Sequence, residues 1–347
     1  MRSFDSITIT DPTKIKKRNF QFINNFFKKM LNEERDLPFI YLTLEITFFM
    51  ISLGIALYFI QGWLFWGVAL VYFYLNNLYF KGPFGLMLHC TSHRKLFKKE
   101  YNFLNYYLPW IVAPFFGHTP ETYFAHHIGM HHVENNLEED KSSTMHYQRD
   151  SFKHFLHYFG SFFVKGVLEL YQYHKKNNRT YFMKRILAGE LTFYILVIVL
   201  SFINLPATLM VFIIPFLIFR VITMMGNWSQ HSFLDINDPG NLYTNSITCI
   251  NVKYNHRCWN DGYHINHHLR PNMHWTEYPT HFLDHLPSFA AEKAIVFEGL
   301  DYLKVFGLLM KKKYSTLADH VVNINNSFES KEEIIQLLKD RTRKVEA

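Results

Sequence analysis

Four stretches of the chain are almost wholly apolar, and polar residues crowd between them. The stretches are Phe39–Ile60, Trp63–Phe80, Ile186–Ile203 and Ala207–Met225. Each is about as long as the ~20 residues a helix needs to cross a bilayer. They fall into two pairs, one joined by Gln61-Gly62 and the other by Asn204-Leu205-Pro206. Links this short predict antiparallel helical hairpins, each returning the chain to the side it left. Elsewhere the pattern predicts an interfacial helix over Phe20–Leu31 and an amphipathic helix over Ser151–Tyr173. The apolar piece Phe103–Gly117 contains Pro109 and Pro114 and is too broken for a span. The charged end, Ser330–Val345, reads as a helix with Ile334, Ile335, Leu337 and Leu338 on its apolar side. No strand pattern is strong. The expected fold is all-α and integral to the membrane, with four spans in two hairpins.

Charge orients this scheme. The hairpin links carry no Lys or Arg, whereas Arg2, Lys14, Lys16, Lys17, Arg18, Lys28, Lys29 and Arg35 precede the first run. Lys and Arg are also frequent over 81–185 and after Met225. The positive-inside rule then puts both termini and everything beyond the hairpin tips in the cytoplasm. The organisation expected is a basic segment over 1–38, a four-span domain with a helical cytoplasmic cap over 39–285, and a helical tail over 286–347. The formal net charge of +7 suits a lipid-facing collar and an acidic partner protein; no nucleic-acid motif accompanies it. Three cysteines, Cys90, Cys249 and Cys258, exclude a disulfide scaffold. Glu45, Glu190 and Arg220 lie in or beside the apolar runs. Arg220 is expected to snorkel to the surface, and Glu45 needs a polar partner.

The chemistry-bearing signal is histidine. Of 20 histidines, 19 lie between His89 and His285, and none falls in an apolar run. They form spaced groups: His89-Cys-Thr-Ser-His93; His127-Ile-Gly-Met-His131-His132, preceded by His126; Asn227-Trp-Ser-Gln-His231; and His264-Ile-Asn-His267-His268. Spacings of three and four put rings on one face of a helix. Imidazole suits iron, copper, zinc and nickel. The well-spaced histidines number two, three, one and three, too many for one ion and suited to two. A structural zinc site usually recruits cysteine, and these cysteines lack that spacing. The remaining histidines, among them His118, His146, His154, His157, His174, His256, His274, His281, His285 and His320, read as surface or interfacial.

The order HxxxH, HxxxHH, NxxxH, HxxHH around two transmembrane hairpins resembles the membrane fatty acid desaturase and hydroxylase superfamily. The resemblance implies an integral-membrane di-iron enzyme that uses dioxygen and two external electrons. Carried over, it makes His89, His93, His127, His131, His132, His231, His264, His267 and His268 the expected iron ligands. It brings Asn227 near a metal through water. His127 is preferred to His126 for its spacing. The HxxxHH box, its trailing Glu134-Asn-Asn-Leu-Glu-Glu-Asp140, and Asn227-Trp-Ser-Gln-His231 look more like the alkane monooxygenase branch. Glu134, Asp140, Asp235 and Asp261 are candidates to accept a hydrogen bond from the far nitrogen of a ligating imidazole.

The function implied is desaturation of a long fatty acyl or lipid chain. Hydroxylation of an alkane or acyl chain by the same type of site is the alternative. A His-rich metal transporter is the alternative from a different class, but a carrier should place its ligands within its spans. No HPGG haem signature occurs, so electrons are expected from a separate ferredoxin or cytochrome b5-like donor.

Overall fold

The structure is a computed structural model that describes residues 2–16 and 18–345. Lys17 of the basic segment, Met1, and Glu346 and Ala347 of the tail lie outside the described residues. The fold is mainly helical. Two compact units are distinguished: residues 15–129 with 171–221, and residues 1–14 with 130–170 and 222–347.

The first unit holds the apolar segments. Among the described residues, three helices are long and apolar enough to cross a membrane: Glu34–Ala56, Thr180–Ile203, and Leu205–Gln230, which starts here. Large apolar side chains stand exposed along all three, including Phe48, Phe49, Leu191, Phe202, Leu205 and Leu217. A protein in water rarely leaves such a surface open. The run Trp63–Phe80 is also helical, as Gly62–Tyr74 and a π-helical turn Leu75–Phe80. It does not reach the same apolar standard, because Asn76 and Asn77 interrupt it. Asn76 has a structural role: its Nδ2 donates to the Phe115 carbonyl at 2.7 Å. The turns follow from their residues. Gly62 takes φ +64°, which costs glycine least. Asn204 caps the next helix by accepting from the Ala207 amide, with Pro206 in its first turn.

Charged groups in this unit find internal partners. Glu45 pairs with Arg18 at 2.6 Å. Glu190 accepts from Thr119 at 2.5 Å and Thr122 at 2.6 Å. Arg220 does not snorkel outward; it is buried, with its guanidinium 4.9 Å from the Phe216 ring centre. Gly189 permits the turn at Pro120 to sit on the helix Thr180–Ile203, since a Cβ there would stand 1.6 Å from the Pro120 carbonyl oxygen. Glu121, next in that turn, is buried at φ +66°. It pairs with Arg185 and accepts from the Trp110 indole.

The second unit departs from the all-α expectation through two short parallel strand pairs. β1 (Arg2–Ser3) pairs with β4 (Val322–Asn323), and β2 (Thr248–Ile250) with β3 (Val296–Glu298). Strands of two or three residues are too short to leave an alternating pattern in the sequence. Cys249 of β2 and Phe297 of β3 join a core with Phe233, Ile247, Val305 and Leu309. Ile334 and Leu338 of the helix Lys331–Asp340 join that core, so residues beyond 286 pack in the same unit as the last two histidine groups.

Candidate metal centre

Four histidines of the second unit converge: His131, His231, His264 and His268. One ring nitrogen of each lies within 4.8 Å of the others, and all four are buried. His264 and His268 are one turn apart on the helix His264–Leu269, so their rings share a face. The helix stops there because Arg270 precedes Pro271. His231 directly follows the helix Leu205–Gln230. The Nε2 atom of His264 is 3.3 Å from that of His231 and 3.0 Å from that of His268.

The opposite ring nitrogens fix the tautomers. Nδ1 of His131 faces Asp140 Oδ2 at 2.7 Å. Nδ1 of His231 faces the Asn245 carbonyl at 3.0 Å and its Oδ1 at 2.9 Å. Nδ1 of His268 faces Asn135 Oδ1 at 3.1 Å. Each partner is an acceptor, so these Nδ1 atoms carry the proton and each Nε2 presents a lone pair inward. Burial, then the adjacent His131, which disfavours a second proton in the group, pushes the His231 pKa down to about 4. Burial and the neighbouring histidines also hold His268 well below the usual range. Neutral rings with lone pairs facing one another repel unless a cation lies among them. The donor set therefore fits a metal ion.

Asp140 is itself tied down. Its Oδ1 accepts from the Ser142 amide and hydroxyl at 2.8 and 2.7 Å, and its Oδ2 from the Asn136 amide at 3.1 Å. A buried carboxylate so satisfied costs little to keep charged and locks the His131 ring.

The same nitrogen-to-nitrogen pattern recurs. In the second unit His132 and His267 approach at 2.8 Å, and Tyr278 contacts His267 Nδ1 at 3.1 Å through its hydroxyl. In the first unit His93 and His127 approach at 2.9 Å. The His89 ring lies 4.5 Å from that of His127 and 5.2 Å from that of His93. Tyr123 stacks on His127 at 5.3 Å. His127–His131 is a π-helical turn, a form whose hydrogen bonds span one residue more than those of an α-helix and which is frequent at functional sites. That turn carries the HxxxHH spacing.

The fatty acid desaturase family profile matches residues 62–298. The chain belongs to the fatty acid desaturase family. No curated protein and no solved structure matches it. The match spans every histidine group and starts after the helix Glu34–Ala56. This desaturase-family chain is thus an oxidoreductase, from a family that usually works with a di-iron centre, a lipid substrate and an electron donor. That sets the metal-carrier reading aside.

Of the sequence-named residues around the family's boxes, Asp140 meets a histidine directly. Asp261 accepts from the Tyr254 hydroxyl at 2.7 Å and Asp235 pairs with Arg341 at 3.6 Å. The Glu134 carbonyl accepts from the Leu137 amide at 3.0 Å. Asn227 donates to the Ser142 carbonyl at 3.0 Å and the Tyr158 hydroxyl at 2.7 Å. Sequence reasoning missed Asn135, Asn245 and Tyr278. Asn135 left a signal, since Asn135-Asn136 directly follows a histidine helix and both take positive φ; the other two left none. His118, His174, His274 and His281 are buried rather than superficial. The last three are held by the Ala125 carbonyl, Thr276 and Asn266.

Beside His93, within the first unit, lies a cavity of about 370 Å³. Leu88, Leu96, Phe97, Leu108, Phe124 and Ile128 contribute its apolar lining.

Proposed function

We propose that this protein is a multi-pass membrane di-iron oxidase that introduces a double bond into a long acyl chain. One iron is assigned to His131, His231, His264 and His268; His89, His93 and His127 of the first unit, and His132 and His267 of the second, are assigned as the further ligands that the resemblance implies. The observation that carries the reading is the inward-facing Nε2 set, with Nδ1 of His131, His231 and His268 anchored to fixed acceptors. When bound, the iron pair supplies the power to take hydrogen from an unactivated carbon with dioxygen as oxidant. The chain's own residues supply orientation. Asp140, Asn245, Asn135 and Tyr278 hold rings in place, and Asn227 fixes the helix turn before His231. The cavity at His93, which Lys95, Glu121 and Arg185 also line, takes the alkyl chain along its apolar wall and holds one carbon in register. Gly62–Phe80 completes a fourth span, and both termini and the histidine groups face the cytoplasm, as the Lys and Arg distribution supports. A separate donor supplies electrons at the basic face.

Hydroxylation is the second reading, favoured by the HxxxHH box on its π-helical turn. Lipid mass spectrometry decides between them in a host expressing the chain beside one expressing His131→Ala. Desaturation gives acyl species two hydrogens lighter that vanish in the variant. Species heavier by one oxygen would establish hydroxylation, and identical lipid profiles would refute both.

A further inference from the structure

In the second unit, two tyrosines lead away from the four-histidine group. The Tyr302 ring lies 6.4 Å from the His264 ring, at 75°. The Tyr254 ring lies 5.9 Å from Tyr302, at 77°. Both hydroxyls donate to Asp261: Tyr302 to its carbonyl at 2.9 Å, and Tyr254 to Oδ2 at 2.7 Å. Tyr302 is buried, whereas Tyr254 is half-buried beside exposed Lys253, His256 and Arg257. His264, Tyr302 and Tyr254 thus form a file of rings from a buried imidazole to a basic surface.

A phenol that gives up one electron becomes a very strong acid, so oxidation inside a protein needs a base in hydrogen-bond contact. Tyr254 has one in Asp261. Burial and that carboxylate hold the Tyr254 phenol well above its usual pKa, so the resting group keeps its proton. Tyr263 on Asp11 and Tyr314 on Asp150 also touch a carboxylate. Their rings lead elsewhere: Tyr263 packs on Phe282, and Tyr314 sits under the Lys339 ammonium. Tyr158 donates to the Ser142 carbonyl, which is no base.

We propose that Tyr302 and Tyr254 form a one-electron relay between the four-histidine centre and the surface, with Asp261 as the base for Tyr254. The proposal rests on the oxidase reading above. When the oxidised metal centre lacks substrate, one electron tunnels to it from Tyr254 across the Tyr302 ring, which keeps its proton, hydrogen-bonded to the Asp261 carbonyl, and is not itself oxidised. The Tyr254 O–H bond breaks, its proton moves to Asp261 Oδ2, and a neutral tyrosyl radical and a carboxylic acid remain. A one-electron reductant at the Lys253, His256 and Arg257 edge returns the electron, and Asp261 returns the proton. The positive rim suits an acidic redox protein in that part. The relay protects the histidine ligands from an oxidant with nothing to consume it.

The test uses the metal-free full-length chain in detergent, so it does not depend on iron. A ruthenium polypyridyl photo-oxidant with a sacrificial acceptor is flashed, and the neutral tyrosyl radical is followed by transient absorption and electron paramagnetic resonance. The wild type should form a long-lived radical that is lost in Tyr254→Phe and kept in Tyr243→Phe. Asp261→Asn, near-isosteric, should slow its formation by roughly 100-fold, the scale of a lost general base. An undiminished long-lived radical in Tyr254→Phe, or an unchanged rate in Asp261→Asn, overturns the relay. Iron content of the reconstituted wild type is measured separately. Its absence would defeat the oxidase reading while leaving the photochemical result intact.

Discussion

His131 and Asp140 meet through Nδ1 and Oδ2 at 2.7 Å, and both are buried. The carboxylate also gathers the Asn136 and Ser142 amides, so one group sets both the ring and the loop behind it. Asp140→Asn keeps the size and removes the charge. Loss of such a partner typically weakens metal binding by about 10–100-fold. Titration of iron into the metal-free variant should show that drop with the helical content unchanged; affinity equal to wild type would remove Asp140 from the site's support.

Gly189 and Gly85 are both helical glycines, with opposite surroundings. A Cβ at Gly189 would meet the Pro120 oxygen at 1.6 Å, whereas one at Gly85 meets nothing within 4 Å. Gly189→Ala must push the Thr119–Glu121 turn off its helix, and should cost about 3 kcal/mol, the upper end for overpacking. Gly85→Ala should be neutral or stabilising by up to ~1 kcal/mol. Thermal unfolding in one detergent compares them, and equal melting temperatures for the two variants would contradict the packing described.

His281 gives a pH dependence. Its Nδ1 accepts from Asn266 Nδ2 at 2.8 Å, and its ring stacks on His285 at 4.0 Å. Burial, then His285 and Arg270, lower its pKa to about 4, against a smaller opposing effect of Asp284. The unfolded chain, with an ordinary histidine pKa of about 6.5, takes up the proton first as pH falls. The stability His281 contributes is therefore whole above about pH 6.5 and lost as pH drops toward 4. His281→Asn retains an acceptor near the Nδ1 position and does not titrate. Between pH 6.5 and 4.5 the metal-free variant should lose less melting temperature than the wild type, and parallel curves would show that His281 does not titrate with unfolding.

Much of this arrangement could be read from local spacing, because the information was local. Histidines three and four apart mark one helix face, and runs such as Ile186–Ile203 mark helices that only lipid can cover. What escaped depends on contacts distant in sequence. Asn245 reaches His231 across 14 residues, and Tyr278 reaches His267 across 11. Glu190 finds Thr119 and Thr122 about 70 residues away, partners that no local spacing reveals. Lys81 reads as a surface cation but is buried, donating to the Phe116 and Pro215 carbonyls at 3.0 and 3.3 Å. β2 and β3 pair across more than 40 residues with only three residues each, which no periodicity can reveal.

Orienting groups and ligands should separate in experiment. Asn245→Ala removes one of the two acceptors at His231 Nδ1, the side-chain Oδ1, and leaves the backbone carbonyl and the ring. It should keep iron with affinity reduced by about 10-fold, the lower end for a lost ligand partner, whereas His231→Ala should lose iron from that position outright. Iron retention after gel filtration distinguishes the two, and identical retention by both would mean that Asn245 and His231 do not work as a unit.

The most direct test is the metal content of the purified chain after anaerobic reconstitution with ferrous iron, measured by mass spectrometry beside His264→Ala. The account predicts two irons per chain in the wild type and no more than one in the variant. Zinc in iron's place, or an unchanged iron content in His264→Ala, would contradict it.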